Sequence, residues 1–131
     1  MKKKILIAVG IVLVLAAAGG TFFKMKLSQM EEEVKMEFER IADVDISAVP
    51  DGTYSAKWGK FVVNADLNVV VKDGRIKRIK INKMDAGSGY EALGTVNRII
   101  ENQKVKVDAI TGATTSSKVI MITTAKALEK K

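Results

Sequence analysis

There is neither cysteine nor histidine in this chain of 131 residues, and there is only one proline. Without cysteine or histidine, thiolate and imidazole metal sites, haem ligation, a nucleophilic cysteine and the usual histidine general base are all excluded. No glycine-rich nicotinamide fingerprint is present either, so a self-contained reductase is disfavoured. Any redox or group-transfer chemistry must therefore rest on a borrowed cofactor, to which the remaining side chains offer hydroxyls, amides, carboxylates, ammonium groups and small-residue backbone. The missing cysteine says nothing about compartment. It does exclude a lipid anchor on a cysteine after the N-terminal segment.

What is present begins with Met1-Lys-Lys-Lys4, followed by Ile5 to Phe23, nineteen uncharged residues dominated by Ile, Leu, Val, Ala and Gly. That length matches the hydrocarbon core of a bilayer, and the leading lysines favour a cytoplasmic N-terminus with the rest of the chain outside. Ala16-Ala17-Ala18 has the small-residue pattern of a signal-peptide cleavage site, but Thr21-Phe22-Phe23 continues the apolar run past it, which favours an uncleaved anchor. We expect a membrane segment over 1–23, a helical stalk and linker over 24–49, and one extracytoplasmic domain over 50–131, since the length leaves no room for a second core.

The formal net charge is +7, and from Asp45 onward 15 basic residues stand against 9 acidic ones. The basic residues of Arg75 to Asn82 have no aromatic residues interleaved with them, so a solvated strand face accounts for them better than a nucleic-acid patch. A modestly basic domain suits the vicinity of an anionic membrane.

From Lys24 to about Ala42 the positions Leu27, Met30, Val34, Phe38 and Ile41 recur at helical spacing, which predicts an amphipathic helix packing on its own domain. Asp43 to Pro50 reads as a linker. The period then becomes two. Thr53 to Trp58 is expected as a strand, Gly59 as a turn, and Phe61 to Lys72 as a strand with Phe61, Val63, Ala65, Leu67, Val69 and Val71 on one face. Asp73-Gly74 signals a two-residue hairpin, and Arg75 to Asn82 is the returning strand, in which Ile76 falls on the opposite face from Ile79 and Ile81 unless a bulge intervenes near Lys77-Arg78. Beyond a loop from Met84 to Gly89, a helix is expected over Tyr90 to Asn102, with Leu93, Val96, Ile99 and Ile100 as its stripe. Lys104 to Val107 reads as a short strand, and a last helix runs to about Leu128 with Val119, Ile122 and Leu128 inward. The fold class is α+β: a small antiparallel sheet of three or four strands backed by two helices, behind a membrane helix and stalk.

Asp108 to Ser117 leads from that strand into the last helix. Gly112 and Ala113 are small enough for close backbone approach, Thr114 stands just before the helix, and Thr115, Ser116 and Ser117 offer first-turn amides and hydroxyls to a phosphate, with Lys118 adding a charge. On spacing alone, the plainer account is the stronger: Thr115 or Ser116 caps the helix and Gly112 makes the turn.

Asp108-Ala109-Ile110-Thr111-Gly112-Ala113-Thr114, however, resembles the flavinylation motif of the FMN-binding domain family, which pairs Asp, then Ser or Thr, then Gly-Ala-Thr at this spacing. The resemblance extends to Asp51-Gly52-Thr53-Tyr54, Lys72-Asp73-Gly74-Arg75-Ile76 and Ala125-Lys126-Ala127-Leu128, so that it covers Pro50 to Lys130. It implies FMN joined through its phosphate to the Thr114 hydroxyl by a flavin transferase, which would recognise Asp108, Gly112, Ala113 and Thr114. It also implies that Thr111, Gly112, Ala113, Thr115, Ser116 and Ser117 surround the cofactor. A carrier of this kind would relay electrons between membrane or extracytoplasmic redox partners and an external acceptor, and would contain no catalytic acid-base pair of its own. The loop Asp85-Ala86-Gly87-Ser88-Gly89-Tyr90 departs from the larger family members, which usually carry a Thr-Pro-Gly loop there; Tyr90 could stack on a flavin or lie in the core. A sensing or interaction module with the same fold and no electron transfer is the alternative.

Overall fold

The structure is a computed structural model, and it describes residues 1–41, 44–85 and 94–129. The expected membrane segment and stalk form one continuous helix, α1 (Lys2–Arg40). Gly19 and Gly20 do not interrupt it. At 1.5 Å per residue it is about 58 Å long, far more than a bilayer core needs, so its C-terminal part stands clear of the apolar run. No residue of its apolar window is buried. Met30 and Val34 are buried, while Leu27 and Phe38 pack on the core from the edge. The amphipathic face read from the sequence is therefore the face that docks.

The stretch expected as a linker contains a short 3-10 turn, Ile46–Ala48, capped by Asp45, whose carboxylate accepts from the Ser47 backbone N–H at 3.2 Å. Ile46 and Val49 are buried, so this segment belongs to the core.

Three strands, β1 (Gly52–Lys60), β2 (Val63–Lys72) and β3 (Arg75–Asp85), form an antiparallel meander in the order β1-β2-β3. Along β2, Val63, Ala65, Leu67, Val69 and Val71 are buried and their neighbours are not, as period-two alternation requires. Phe61 does not join this face. Gly59 remains in the ladder opposite Asn64, and Lys60 pairs with Val63, so the reversal falls on Phe61-Val62. Phe61 adopts φ 51° and is 51% exposed. The second hairpin turns at Asp73 (φ 55°) and Gly74 (φ 70°), as two-residue hairpins of the primed type demand. The alternative of a bulge near Lys77-Arg78 is the one found: Val70 pairs with Arg78 and Val71 with Ile76, which leaves Lys77 unpaired and brings Ile76 and Ile79 to the buried face.

Helix α2 (Gly94–Asn102) buries Thr95 and Ile99 and lies against β3. The expected helical residues Tyr90 to Leu93, and the Ala86 to Tyr90 part of the departing loop, lie outside the described residues. Lys104 to Val107 is not a strand. The outer edge of β3 at Ile76 is already taken by Gln103: its Oε1 accepts from the Ile76 N–H at 2.7 Å, and its Nε2 donates to the Ile76 carbonyl at 2.9 Å. With that edge occupied by a side-chain amide, the chain has no ladder to join, and it instead drops Val105 into the core.

Helix α3 (Thr114–Glu129) was expected to be amphipathic, with Val119, Ile122 and Leu128 inward. Those residues are buried, but so are Ile120, Met121, Thr123, Thr124, Ala125 and Ala127. The reason is its position: the sheet covers one side, and α1 and α2 lie against others. A helix buried all round must satisfy its polar groups internally. The Thr123 and Thr124 hydroxyls do so by donating to the carbonyls of Val119 (2.6 Å) and Ile120 (2.8 Å). The layers are thus sheet, α3 and α1, and α1 becomes a third helix of the domain.

Candidate functional site

The first turn of α3 is built by three contacts within Ile110 to Ser117. Gly112 takes φ 84°, a conformation open to glycine, and the Ala113 N–H closes the turn onto the Ile110 carbonyl at 2.9 Å. The Ser117 N–H then donates to the Ala113 carbonyl at 2.9 Å, which starts the helix. The Ser117 hydroxyl oxygen accepts from the Ile110 N–H at 3.1 Å, so the segment before the helix is stitched to the helix itself.

From α2, Arg98 Nη1 donates to the carbonyls of Asp108 (2.8 Å) and Ala109 (3.2 Å). The Gly94 backbone lies against Ile110, where a Cβ at position 94 would sit 3.4 Å from the Ile110 Cδ1. The motif loop is therefore held from one side by α2 and from the other by its own helix.

This arrangement sorts the residues singled out by sequence. Asp108, Thr111, Gly112 and Thr114 are exposed, Thr115 is half-buried, and Ala113, Ser116 and Ser117 are buried. Thr114 thus lies at the surface, in the first helical position. Nothing stands within 4 Å of where a Gly112 Cβ would be, so the approach to the turn is open. An alanine before the helix brings no side-chain acceptor of its own to the first-turn N–H groups, where helix ends favour an anion.

Thr114 and Thr115 border a cleft of about 320 Å³ whose other walls are Glu31, Glu32, Val34 and Lys35 of α1 and Lys118 of α3. The α1 contribution was not legible in the motif, which lies some eighty residues away in sequence. Its signal was the apolar repeat that docks α1. Beside the cleft, the Phe38 ring receives two ammonium groups, Lys118 Nζ at 5.4 Å and Lys106 Nζ at 5.2 Å from its centroid. That pairing holds Lys118 next to the first turn and is favourable where an aromatic face meets a cation. Arg98 carried no sequence signal at all, because its role depends on how α2 docks.

Among the described residues, no cluster of three or more carboxylates or other ligating side chains could hold a metal ion. The features present that suit an organic phosphate are the exposed Thr114, the open backbone at Gly112 and the helix N-terminus, while on the cleft itself Lys35 and Lys118 are balanced by Glu31 and Glu32.

No curated protein and no solved structure matches the chain. The profile of the FMN-binding domain matches residues 28–129, beginning on the part of α1 that packs against α3 and ending at the last described residue of α3. With the match spanning most of the chain and including the motif turn, the protein belongs to the FMN-binding domain family.

Proposed function

We propose that this protein is a membrane-anchored electron carrier on the extracytoplasmic face, with FMN attached through a phosphodiester bond to the Thr114 hydroxyl. The observation that carries the reading is the exposed Thr114 at the opening turn of α3, within an Asp-x-x-Thr-Gly-Ala-Thr motif, in a chain of the FMN-binding family. In attachment the Thr114 oxygen bonds to the FMN phosphorus of a flavin dinucleotide donor, the pyrophosphate P–O bond breaks, and the nucleoside monophosphate leaves with the hydroxyl proton transferred to solvent; a flavin transferase is the partner that carries out the exchange. Bound FMN supplies one- and two-electron redox chemistry.

The chain's own residues do the holding. Gly112 lets a bulky group approach the backbone, and Arg98 and Ser117 fix the turn so that Thr114 projects outward. The first-turn N–H groups favour the negative charge of the diester, and Lys35 and Lys118 offset the carboxylates of Glu31 and Glu32 on the same cleft. A covalent bond also prevents loss of the cofactor outside the cell. The uncharged run Ile5 to Phe23 with Lys2, Lys3 and Lys4 before it supports a single-pass anchor with the N-terminus inside. Redox partners at or near the membrane are then the donors and acceptors.

The test is the intact mass of the exported full chain made together with a flavin transferase. Wild type is expected to gain the mass of FMN less one water, with flavin fluorescence that survives denaturation. Thr114→Ala is expected to lose both, and Thr114→Ser to keep them. An unmodified wild type, beside a control substrate that is modified, would overturn covalent carriage and favour the sensing module.

A further inference from the structure

The β1–β2 hairpin carries a feature that the flavin site does not use. Its tip places Phe61 in the left-handed region at φ 51°, half exposed, where a turn would ordinarily use glycine or asparagine. A bulky aromatic in that position costs backbone strain and leaves apolar surface in contact with water, so a soluble surface gives no reason for it.

The surroundings of Phe61 supply one. Its ring centroid is 5.6 Å from that of Phe23, the last residue of the uncharged run on α1. Phe22 and Phe23 are themselves 61% and 48% exposed. Nineteen helical residues from Ile5 to Phe23 rise about 28 Å, close to the roughly 30 Å of a bilayer core. Phe23 therefore marks the boundary of the apolar layer, and the hairpin tip reaches that same level.

Around the tip the charge is mostly positive. Lys24, Lys26, Lys57 and Lys60 are exposed, and Lys26 Nζ lies 5.6 Å from the Phe22 ring centroid. Lys57, Lys60 and Lys83 border an open cleft of about 680 Å³ beside Phe61, with Asp66 as its carboxylate. Glu33 borders a smaller cleft on the α1 side of Phe61. Aromatic rings at the hydrocarbon edge with lysines reaching past them are what a lipid interface selects.

We propose that the β1–β2 hairpin tip is a second membrane contact: Phe61 enters the bilayer interface beside Phe22 and Phe23, while Lys24, Lys26, Lys57 and Lys60 engage anionic lipid headgroups. This rests on the reading of Ile5 to Phe23 as a membrane span. Two contacts fix orientation where one helix would allow swivelling. Thr114 borders its cleft with Glu31 to Lys35, 8 to 12 residues beyond Phe23 on α1, so the flavin attachment point is held about 12–18 Å above the apolar boundary.

The test uses the full chain in vesicles of phosphatidylcholine with phosphatidylglycerol. Trp58 is the only tryptophan, so a Trp58→Phe background accepts a new reporter. Phe61→Trp in that background is expected to emit at shorter wavelength in vesicles than in detergent, and to be quenched by lipid brominated near the glycerol. Leu13→Trp in the same background reports the span and is expected to be quenched by lipid brominated near the chain ends. Quenching of Leu13→Trp with Phe61→Trp unquenched would overturn the hairpin contact and leave the anchor standing. Absence of both signals in a chain folded by circular dichroism would overturn the anchor and the contact together. Lys57→Glu with Lys60→Glu is expected to weaken Phe61→Trp quenching, and unchanged quenching would overturn the headgroup role.

Discussion

Lys126 Nζ on α3 donates to Glu37 Oε1 on α1 at 2.8 Å, the one ion pair among the described residues. It joins the buried central helix to the helix that leads from the apolar run, beside the Met30 and Val34 contacts. Hydrogen bonding from Lys126 holds the Glu37 carboxyl below the usual glutamate value. Burial opposes that shift, and the charges of Lys126, Arg40 and Lys60 add to it.

Because the folded value of Glu37 lies below the unfolded one, its contribution is complete above the ordinary glutamate range and is lost as pH falls through the depressed value. With the two side chains 32% and 24% exposed, solvent screening keeps the contribution small. It should be about 0.2–1 kcal/mol. Glu37→Gln is expected to lower the unfolding midpoint slightly at neutral pH and to flatten the decline of stability in acid. Thermal melts of wild type and variant in nanodiscs, taken from neutral pH to about pH 3, check this. Parallel acid limbs would show that Glu37 does not couple the helices.

Much of this architecture can be read locally. The five inward residues of β2, the Asp73-Gly74 turn, the Lys77 bulge and the docking stripe of α1 each follow from a period or from a turn residue whose backbone demands are known. What escaped reading depended on neighbours. Gln103 excludes a fourth strand by side-chain bonds to Ile76, contacts that no period encodes. Helix α3 is covered on several sides, so Thr123 and Thr124 are inside although an amphipathic pattern would leave them outside. Phe61 leaves its strand face because Gly59 stays paired, which moves the reversal by two residues. At the site, the motif identified Thr114, whereas Arg98 and the α1 wall of the cleft arise only from packing.

The hydroxyl of Ser117 provides a test of what holds the motif turn. Ser117→Ala leaves the Ile110 N–H without its acceptor in a partly buried setting. Loss of about 1–3 kcal/mol is expected. Urea unfolding reads the loss, and the rate of FMN attachment by the transferase should fall with it. Unchanged stability would mean that water replaces the hydroxyl at no cost.

Arg98 should act on the loop more than on the fold. Arg98→Ala removes both bonds to the Asp108 and Ala109 carbonyls, on a side chain that lies at the surface of α2. Hydrogen bonds to a charged group are worth about 1.5–3 kcal/mol, and partial exposure places this one toward the low end. Amide hydrogen exchange is expected to rise across Asp108 to Gly112 while the protection of Val119 to Leu128 in α3 is retained. Uniform loss of protection would assign Arg98 to global stability instead.

The two glycines of the hairpin and the motif turn should fail for different reasons when replaced by alanine. At Gly112 there is space for a Cβ but φ is 84°. Only the backbone penalty applies, about 1–2 kcal/mol. Asparagine tolerates this conformation better than alanine, so Gly112→Asn is expected to recover part of the loss. At Gly59 the backbone suits any residue, but a Cβ would collide with the Asn64 side chain and the Val63 carbonyl. Asparagine there is larger still and offers no relief. Melting temperatures of Gly112→Ala, Gly112→Asn, Gly59→Ala and Gly59→Asn check the contrast, at about 4–8 °C per kcal/mol for a domain of this size. Rescue by asparagine at 112 and not at 59 would confirm that conformation limits the motif turn and space limits the hairpin; equal rescue at both positions would overturn that division.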